Sequence, residues 1–297
     1  MTDLYNREIA LNIGGVRIAS RSVTGETKPI LRVTFKIEKT IQRDPNTADL
    51  QIYNLSKDSR AALGAPDPTK IALKQTGIPT VIEAGYFGNT SLIFSGNVEY
   101  SATNRAGTDW VTTLQSADGG KQLRSSRINV SFDSSTLLKD VLKTAADSLG
   151  VGLGNITQEL DKGAPRSSAQ QYVKGLVLSG QTSNELDKII KRAGFNWSVQ
   201  DGQIQLIRPG GVINPNEAIL LQQGTGLIGV PELGEKGIIK CRSLLQPELT
   251  PGKKIQVRSG LKNGQYDIDG FFRIDKATLT GDTWGGDWYT DIEGSPL

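Results

Sequence analysis

Apolar and polar residues alternate without a break over residues 31–38. Leu31, Val33, Phe35 and Ile37 fall on one side, and Arg32, Thr34, Lys36 and Glu38 on the other. A period of two over eight residues predicts a strand with one face in a core and one in water. Ile9, Leu11 and Ile13 alternate in the same way, and "TKIALKQ", "PTVIEAGYF", "SLIFSGNVEYS" and "TDWVTTLQSADGG" follow, set apart by Gly, Pro and Asn. In "DLQIYNLSKDSR" the alternation of Leu50 and Ile52 gives way after Asn54 to a short helical stretch. Ser56 stands where its hydroxyl can accept from a free amide of the first turn. Residues 1–120 are therefore expected to form a barrel or sandwich of short strands with one small helix inserted.

The period changes over residues 121–215. In "FDSSTLLKDVLKTAADSLG", Leu138, Val141, Leu142, Ala145 and Leu149 form one helical stripe, a serine or threonine is available as cap, and Gly150 ends the helix. In "TSNELDKIIKRAG", Thr182 and Glu185 have capping-box spacing, Leu186, Ile189, Ile190 and Ala193 form the stripe, and Gly194 is the stop. Asp201-Gly202 then predicts a two-residue hairpin turn that sets Val199 against Ile204 and Trp197 against Leu206. Two helices covering one face of that hairpin make a small α+β module. Residues 216–297 return to strands in "KGIIKCRSLL", "KKIQVRSG", "GQYDIDGFFRIDKATLT" and "DWYTDIEG". The expected fold class is α+β, mostly β, with β-barrel domains at 1–120 and 216–297 flanking a helix-plus-hairpin domain at 121–215. No residue-level repeat between the two β segments is evident from the sequence.

Composition narrows the chemistry. The 297 residues exceed the usual size of one core, and 34 glycines fit many turns. The net charge of +3 comes from 34 basic and 31 acidic residues scattered along the chain, which gives no argument for sequence-specific nucleic-acid binding or an anionic membrane. With no histidine, histidine triads, bases and metal ligands are excluded. The single cysteine, Cys241, lies in an apolar strand and excludes intramolecular disulfides and multi-cysteine metal sites. The N-terminal stretch reads as lacking a signal peptide, and no apolar run approaches a membrane span. A soluble protein made in a reducing cytoplasm is expected.

Candidate motifs are thin. "GTGLIG" places Gly224, Gly226 and Gly229 at dinucleotide-binding spacing, but Pro231, Gly234 and Gly237 spoil the helix that would have to follow. Asp267 and Asp269 share a strand face without a third ligand at a recognisable spacing, and a solvated face is the plainer reading. Trp284 and Trp288 could stack on a sugar or anchor an interface; the plainer reading packs one on the core and lays the other over a strand. No catalytic, cofactor or metal site is assigned.

"ADLQIYNLSKDSR", "FSGNVEYSATNRAGTDWVTTLQSADG", "GLIGVPE", "SLLQPELTPGKKIQVRSG" and "GQYDIDGFFRIDKATLTGDTWGGDWYT", taken in order, resemble the baseplate hub proteins of tailed bacteriophages, the late control protein D group. Relatives often carry a histidine before the "GDT"-like turn, where this chain has Thr278-Leu279-Thr280. The resemblance implies a structural role without enzymatic activity or cofactor. It implies a homotrimer of two-barrel subunits that joins a sixfold tail tube to a threefold spike and encloses a channel in the virion baseplate. The implied partners are the spike (tail needle) protein, tail tube or distal tube proteins, and the tape measure and baseplate wedge proteins, with assembly in the host cytoplasm. Interface candidates are Arg32, Lys36, Trp284 and Trp288, with "LRVTFKIEK" and "KKIQVRSG" as ring strands. Two rivals stay open: a tail-associated peptidoglycan-degrading enzyme using a carboxylate acid, and a carbohydrate-binding module using the two tryptophans.

Overall fold

The computed structural model describes residues 7–19, 31–64, 77–162, 175–260 and 268–297; "TKIALKQ" and Asp267 lie outside them. The first segment supplies β1 (Arg7–Ile13), β2 (Val16–Ala19), β3 (Val33–Thr40), β4 (Thr47–Tyr53), α1 (Lys57–Ala62), β5 (Ile78–Tyr86), β6 (Asn89–Ala106) and β7 (Asp109–Ala117). The middle supplies α2 (Gly120–Ser125), β8 (Arg127–Phe132), α3 (Leu138–Leu149), α4 (Ile156–Asp161), β9 (Leu176–Gln181), α5 (Thr182–Arg192), β10 (Asn196–Gln200) and β11 (Gln203–Ile207). The third supplies β12 (Ile219–Leu221), β13 (Leu227–Leu233), β14 (Ile239–Leu244), β15 (Lys254–Arg258), β16 (Asp269–Asp282) and β17 (Trp288–Pro296). The chain is thus mostly β, of the expected α+β class.

The two outer segments share one sheet. Among the described residues it has 13 strands, in the order β13-β14-β17-β16-β3-β4-β7-β6-β5-β1-β2, with β15 on β16 and β12 on β15. The order runs from β13 to β2 without closing into a barrel among those residues. The seam is β16 against β3, antiparallel from Lys276↔Thr40 to Asp282↔Thr34. One continuous core follows, in which Val33, Phe35 and Ile37 lie with Ile274, Leu279 and Ile292.

The sheet contains a repeat. Strands β3-β4-β7-β6 with β5 and β1 correspond in order and pairing to β13-β14-β17-β16 with β15 and β12. Both long strands carry an irregularity at the same place, between Val98 and Tyr100 in β6 and between Ile274 and Lys276 in β16. Tyr100 then faces Gln115 as Lys276 faces Glu293. That register lays "DWVTTLQ" (109–115) on "DWYTDIE" (287–293). The units differ in one pairing, since β1 and β5 are antiparallel while β12 and β15 are parallel.

The middle module has its own core, built from the stripes of α3 and α5 and from Trp197, Val199, Ile204 and Leu206 of the hairpin. The hairpin register is the expected one, and Asp201 and Gly202 both adopt positive φ (54° and 79°), as its tight turn requires. Ser56 caps α1 as expected, accepting from the Ser59 amide at 3.1 Å, and Gly150 (φ 66°) and Gly194 (φ 82°) mark the ends of α3 and α5. The other caps differ. Leu137 and Gln181 occupy the N-cap positions of α3 and α5 without side-chain caps. Thr182 lies one residue inside α5, fully buried, with its hydroxyl 3.2 Å from that of Ser126 and 3.0 Å from that of Ser148. A tertiary hydroxyl cluster has taken the group that local spacing assigned to a cap.

The module meets the sheet through the tip of its hairpin. Lys39 continues the inward series Val33, Phe35, Ile37 and is 1% exposed. Its ammonium donates to both carboxylate oxygens of Asp201 at 2.8 Å, since a buried cation needs a countercharge. The Gly202 amide donates to Asp118 Oδ1 (2.9 Å), Asn46 Nδ2 to the Val199 carbonyl (2.9 Å), and Gln200 Nε2 to the Thr40 carbonyl (2.7 Å). Burial, reinforced by the Asp201 charge, pushes the Asp118 carboxyl up to about 7. Its Oδ2 is buried without a hydrogen-bond partner among the described residues.

Folding therefore makes Asp118 take up a proton that the unfolded chain releases near pH 4. Stability falls as pH rises from about 4 to 7 and levels off above that. Asp118→Asn keeps an acceptor for Gly202 and removes the titration. The wild type should melt at a higher temperature at pH 5.5 than at pH 8, and the variant should lose most of that difference in a circular-dichroism melt.

Candidate assembly surface

One face of the sheet holds the core; the other is polar across many strands. Register builds it row by row. Tyr289 of β17 lies opposite Thr280 of β16, Thr280 opposite Lys36 of β3, and Lys36 opposite Asp49 of β4. Asp49 then faces Gln115 of β7, and Gln115 faces Tyr100 of β6. The row beside it runs Arg242, Asp291, Thr278, Glu38, Thr47. Alternation in β3, in β4 and in the 276–282 part of β16 puts polar residues on this face and apolar ones on the other.

Its charges are matched locally. Lys36 sits 2.6 Å and Lys276 3.2 Å from Glu38, and Arg242 sits 2.7 Å from Asp291 with its guanidinium 3.9 Å from the centre of the Tyr289 ring. The hydrogen bond from Lys36 holds the Glu38 carboxyl below its ordinary range, against a smaller desolvation cost. A shallow groove of about 570 Å³ crosses the face over Arg32, Lys36, Asp49, Gln51 and Thr280.

The four interface candidates separate. Arg32 and Lys36 stand on the polar face. Burial opposes ionisation of Asp282, but hydrogen bonds from Arg32 and from the Trp284 and Gly285 amides hold its pKa low. Arg32 donates to it at 2.7 Å. That contact ties β3 to the 283–287 turn, from which Trp284 projects, 70% exposed. Trp288 is in the core. Its ring meets Phe35 edge-on at 5.4 Å, and its indole donates to the Gly85 carbonyl at 3.3 Å. Arg7 clasps the turn by donating to the Gly285 and Gly286 carbonyls at 2.7 and 2.8 Å.

The expected ring strands are engaged within the chain: β3 lies between β4 and β16, and β15 between β12 and β16. What sequence reasoning missed is the strand at one end of the sheet, β13, which pairs only with β14 among the described residues. Its exposed Ile228, Val230 and Leu233 were the available signal. "GTGLIG" forms a short 3-10 turn (Gln223–Thr225) leading straight into β13, so no helix N-terminus is present there for a pyrophosphate. Cys241 is buried, and burial pushes its thiol up to about 12. Among the described residues no cluster of three or more His, Cys, Asp or Glu could hold a metal ion, and no helix is long and apolar enough to cross a membrane.

Residues 14–270 match the sequence model of the family described as Baseplate hub gp41. The chain belongs to that family. It is a structural component of a phage tail. Solved tail proteins share its fold. The 43 kDa tail protein of prophage MuSo2 from Shewanella oneidensis is 11% identical with a TM-score of 0.61, each chain covered to 98%. A tail protein from Neisseria meningitidis MC58 is 10% identical with a TM-score of 0.62, covering 98% of this chain and 96% of its own. The E. coli c3393 protein, a type VI secretion component described as similar to the T4 tail proteins gp27 and gp5, is 12% identical with a TM-score of 0.57, covering 97% and 76%. No curated protein matches.

Gly281 shows how closely the hub seam is packed, since a Cβ there would fall onto the Phe35 ring and close to that of Trp288. Gly281→Ala should cost about 1–3 kcal/mol through overpacking. Urea unfolding followed by tryptophan fluorescence would measure it.

Proposed function

We propose that three copies of this chain form a closed ring that joins the sixfold tail tube to the threefold spike. The polar sheet face lines the channel of that ring. The observation that carries this reading is the repeat within the sheet. A chain with two like units gives a trimer six near-equivalent positions for the tube and three equivalent positions for the spike, which closed rotational symmetry requires of such an adaptor. On this reading the repeat units are the two expected barrel domains, 1–120 and 216–297, with 121–215 as a module between them. Matched charges on the polar face suit a wall past which tail cargo slides.

Arg32 and Lys36 belong to that wall, and Trp284 stands on a turn at its end, where an axial partner would touch. Trp288 contributes from the core by holding the turn in place. The spike protein and a tail tube or distal tube protein are the axial partners; tape measure and wedge proteins are further partners during assembly in the host cytoplasm. No step of this role calls for a catalytic group.

Size exclusion with light scattering should give a trimeric mass, and negative-stain images should show rings with a central hole. A strict monomer at high concentration, even with its tail partners co-expressed, would contradict the reading. Arg32→Glu and Trp284→Ala should each reduce co-purification of the spike or tube protein several-fold while the mass stays trimeric. Unchanged capture by both variants would remove these residues from the interface. Clearing of purified cell wall, abolished by a single carboxylate substitution, would favour the enzymatic rival.

A further inference from the structure

The seam between β3 and β16 is one joint between two like units, and the repeat says where a second such joint would form. We propose that β13 of one copy adds antiparallel to β6 of the next, reproducing between copies the pairing that β3 makes with β16 within the chain. The occupant of the β13 edge is thus a second copy of this chain. This rests on the trimeric reading and specifies its interface.

The register transfers through residues already paired. Lys36 faces Asp49, and Asp49 faces Gln115; Glu232 faces Lys240, and Lys240 faces Glu293. Gln115 and Glu293 are equivalent, so Glu232 occupies the place of Lys36. The same steps through Gln51 and Thr113, and through Arg242 and Asp291, put Ile228 in the place of Thr34. On the receiving strand, Asn104 pairs with Val111 as Thr280 pairs with Tyr289, so Asn104 stands for Thr280. Two residues further on, Ala106 stands for Asp282. Since Lys36 meets Thr280 and Thr34 meets Asp282 at the seam, Glu232 meets Asn104 and Ile228 meets Ala106 between copies.

Burial points the same way. Leu233 takes the place of Ile37, each pairing with the equivalent residue of the next strand, Ile239 and Ala48. Ile37, flanked by β16, is 0% exposed, whereas Leu233, at the end of the sheet, is 54% exposed. Pro231 falls where Phe35 falls and is buried as Phe35 is. Residues 229–231 lie in an irregular stretch of β13, so the joint is made by the residues on either side of it. A strand that exposes core-type side chains along an unpaired edge is suited to adding another strand. A joint that runs from one end of a chain to a different strand of the next is heterologous, and it closes into a ring only if the rotation allows.

The test is a pair of cysteines placed across the joint. Glu232 and Asn104 are both exposed, and the native thiol, Cys241, is buried. The full-length E232C/N104C double variant, oxidised after purification, should run as covalent dimers and trimers on a non-reducing gel, and each single variant should not. I228C/A106C provides a second pair on the same register, and the mass of each variant is measured before oxidation. A trimeric mass with no cross-link from either pair would overturn the joint and leave the trimeric hub standing. A monomeric mass would overturn both.

Discussion

The structure depends on the antiparallel pairing of β16 with β3. Its seven residue pairs, Thr34 to Thr40 against Asp282 to Lys276, join the two ends of the chain into one sheet and one core. Without that pairing each outer segment would be left with an open edge and half an interior. Gly281 lets the strands and the Phe35 and Trp288 rings approach closely, and Arg32 with Asp282 secures the end of the seam beside the exposed turn. The middle module is held at the other end by Lys39, whose buried charge reaches the hairpin tip at Asp201. Two contacts of opposite kind, a strand ladder and a buried ion pair, thus fix three segments.

Local periodicity made much of this legible. The alternation of 31–38, the stripes of α3 and α5, the Ser56 cap and the Asp201-Gly202 hairpin with its register all stand in the structure, because each depends on neighbours a few residues away. What escaped depended on distant residues. Thr182 has capping-box spacing but is recruited by Ser126 and Ser148 from other elements. Lys39 continues the inward phase of 33, 35 and 37, but its countercharge, Asp201, comes from a hairpin 162 residues away. Helix α4 is six residues long, too short for a stripe to show. The repeat was hidden because its units are interrupted differently: 24 residues separate β4 from β5, where nine separate β14 from β15. Only strand pairing aligned "DWVTTLQ" with "DWYTDIE", although both stretches are plain in the sequence.

The candidate surface was less legible than the fold. Sequence marked Arg32 and Lys36 as outward residues and identified a family resemblance now matched over residues 14–270. It also chose as ring strands two segments that prove to lie inside the sheet, since an amphipathic pattern reports which face of a strand is wet and says nothing of whether its edge is taken. The polar face emerges only when outward positions from β17, β16, β3, β4 and β7 are laid side by side. Its matched charges, set over a core that spans both units, suit the channel wall proposed for it. On the proposed reading, duplication of one unit would answer a mismatch between sixfold and threefold neighbours through strand pairing.

A cryo-electron-microscopy reconstruction of the purified assembly, computed without imposed symmetry, would test this account most directly. The account predicts a ring with exact threefold and approximate sixfold symmetry whose inner wall is the sheet face bearing Lys36, Glu38, Asp49 and Thr280. A ring whose inner wall is formed by another surface, or an assembly in which the two units are not placed alike around the axis, would contradict it.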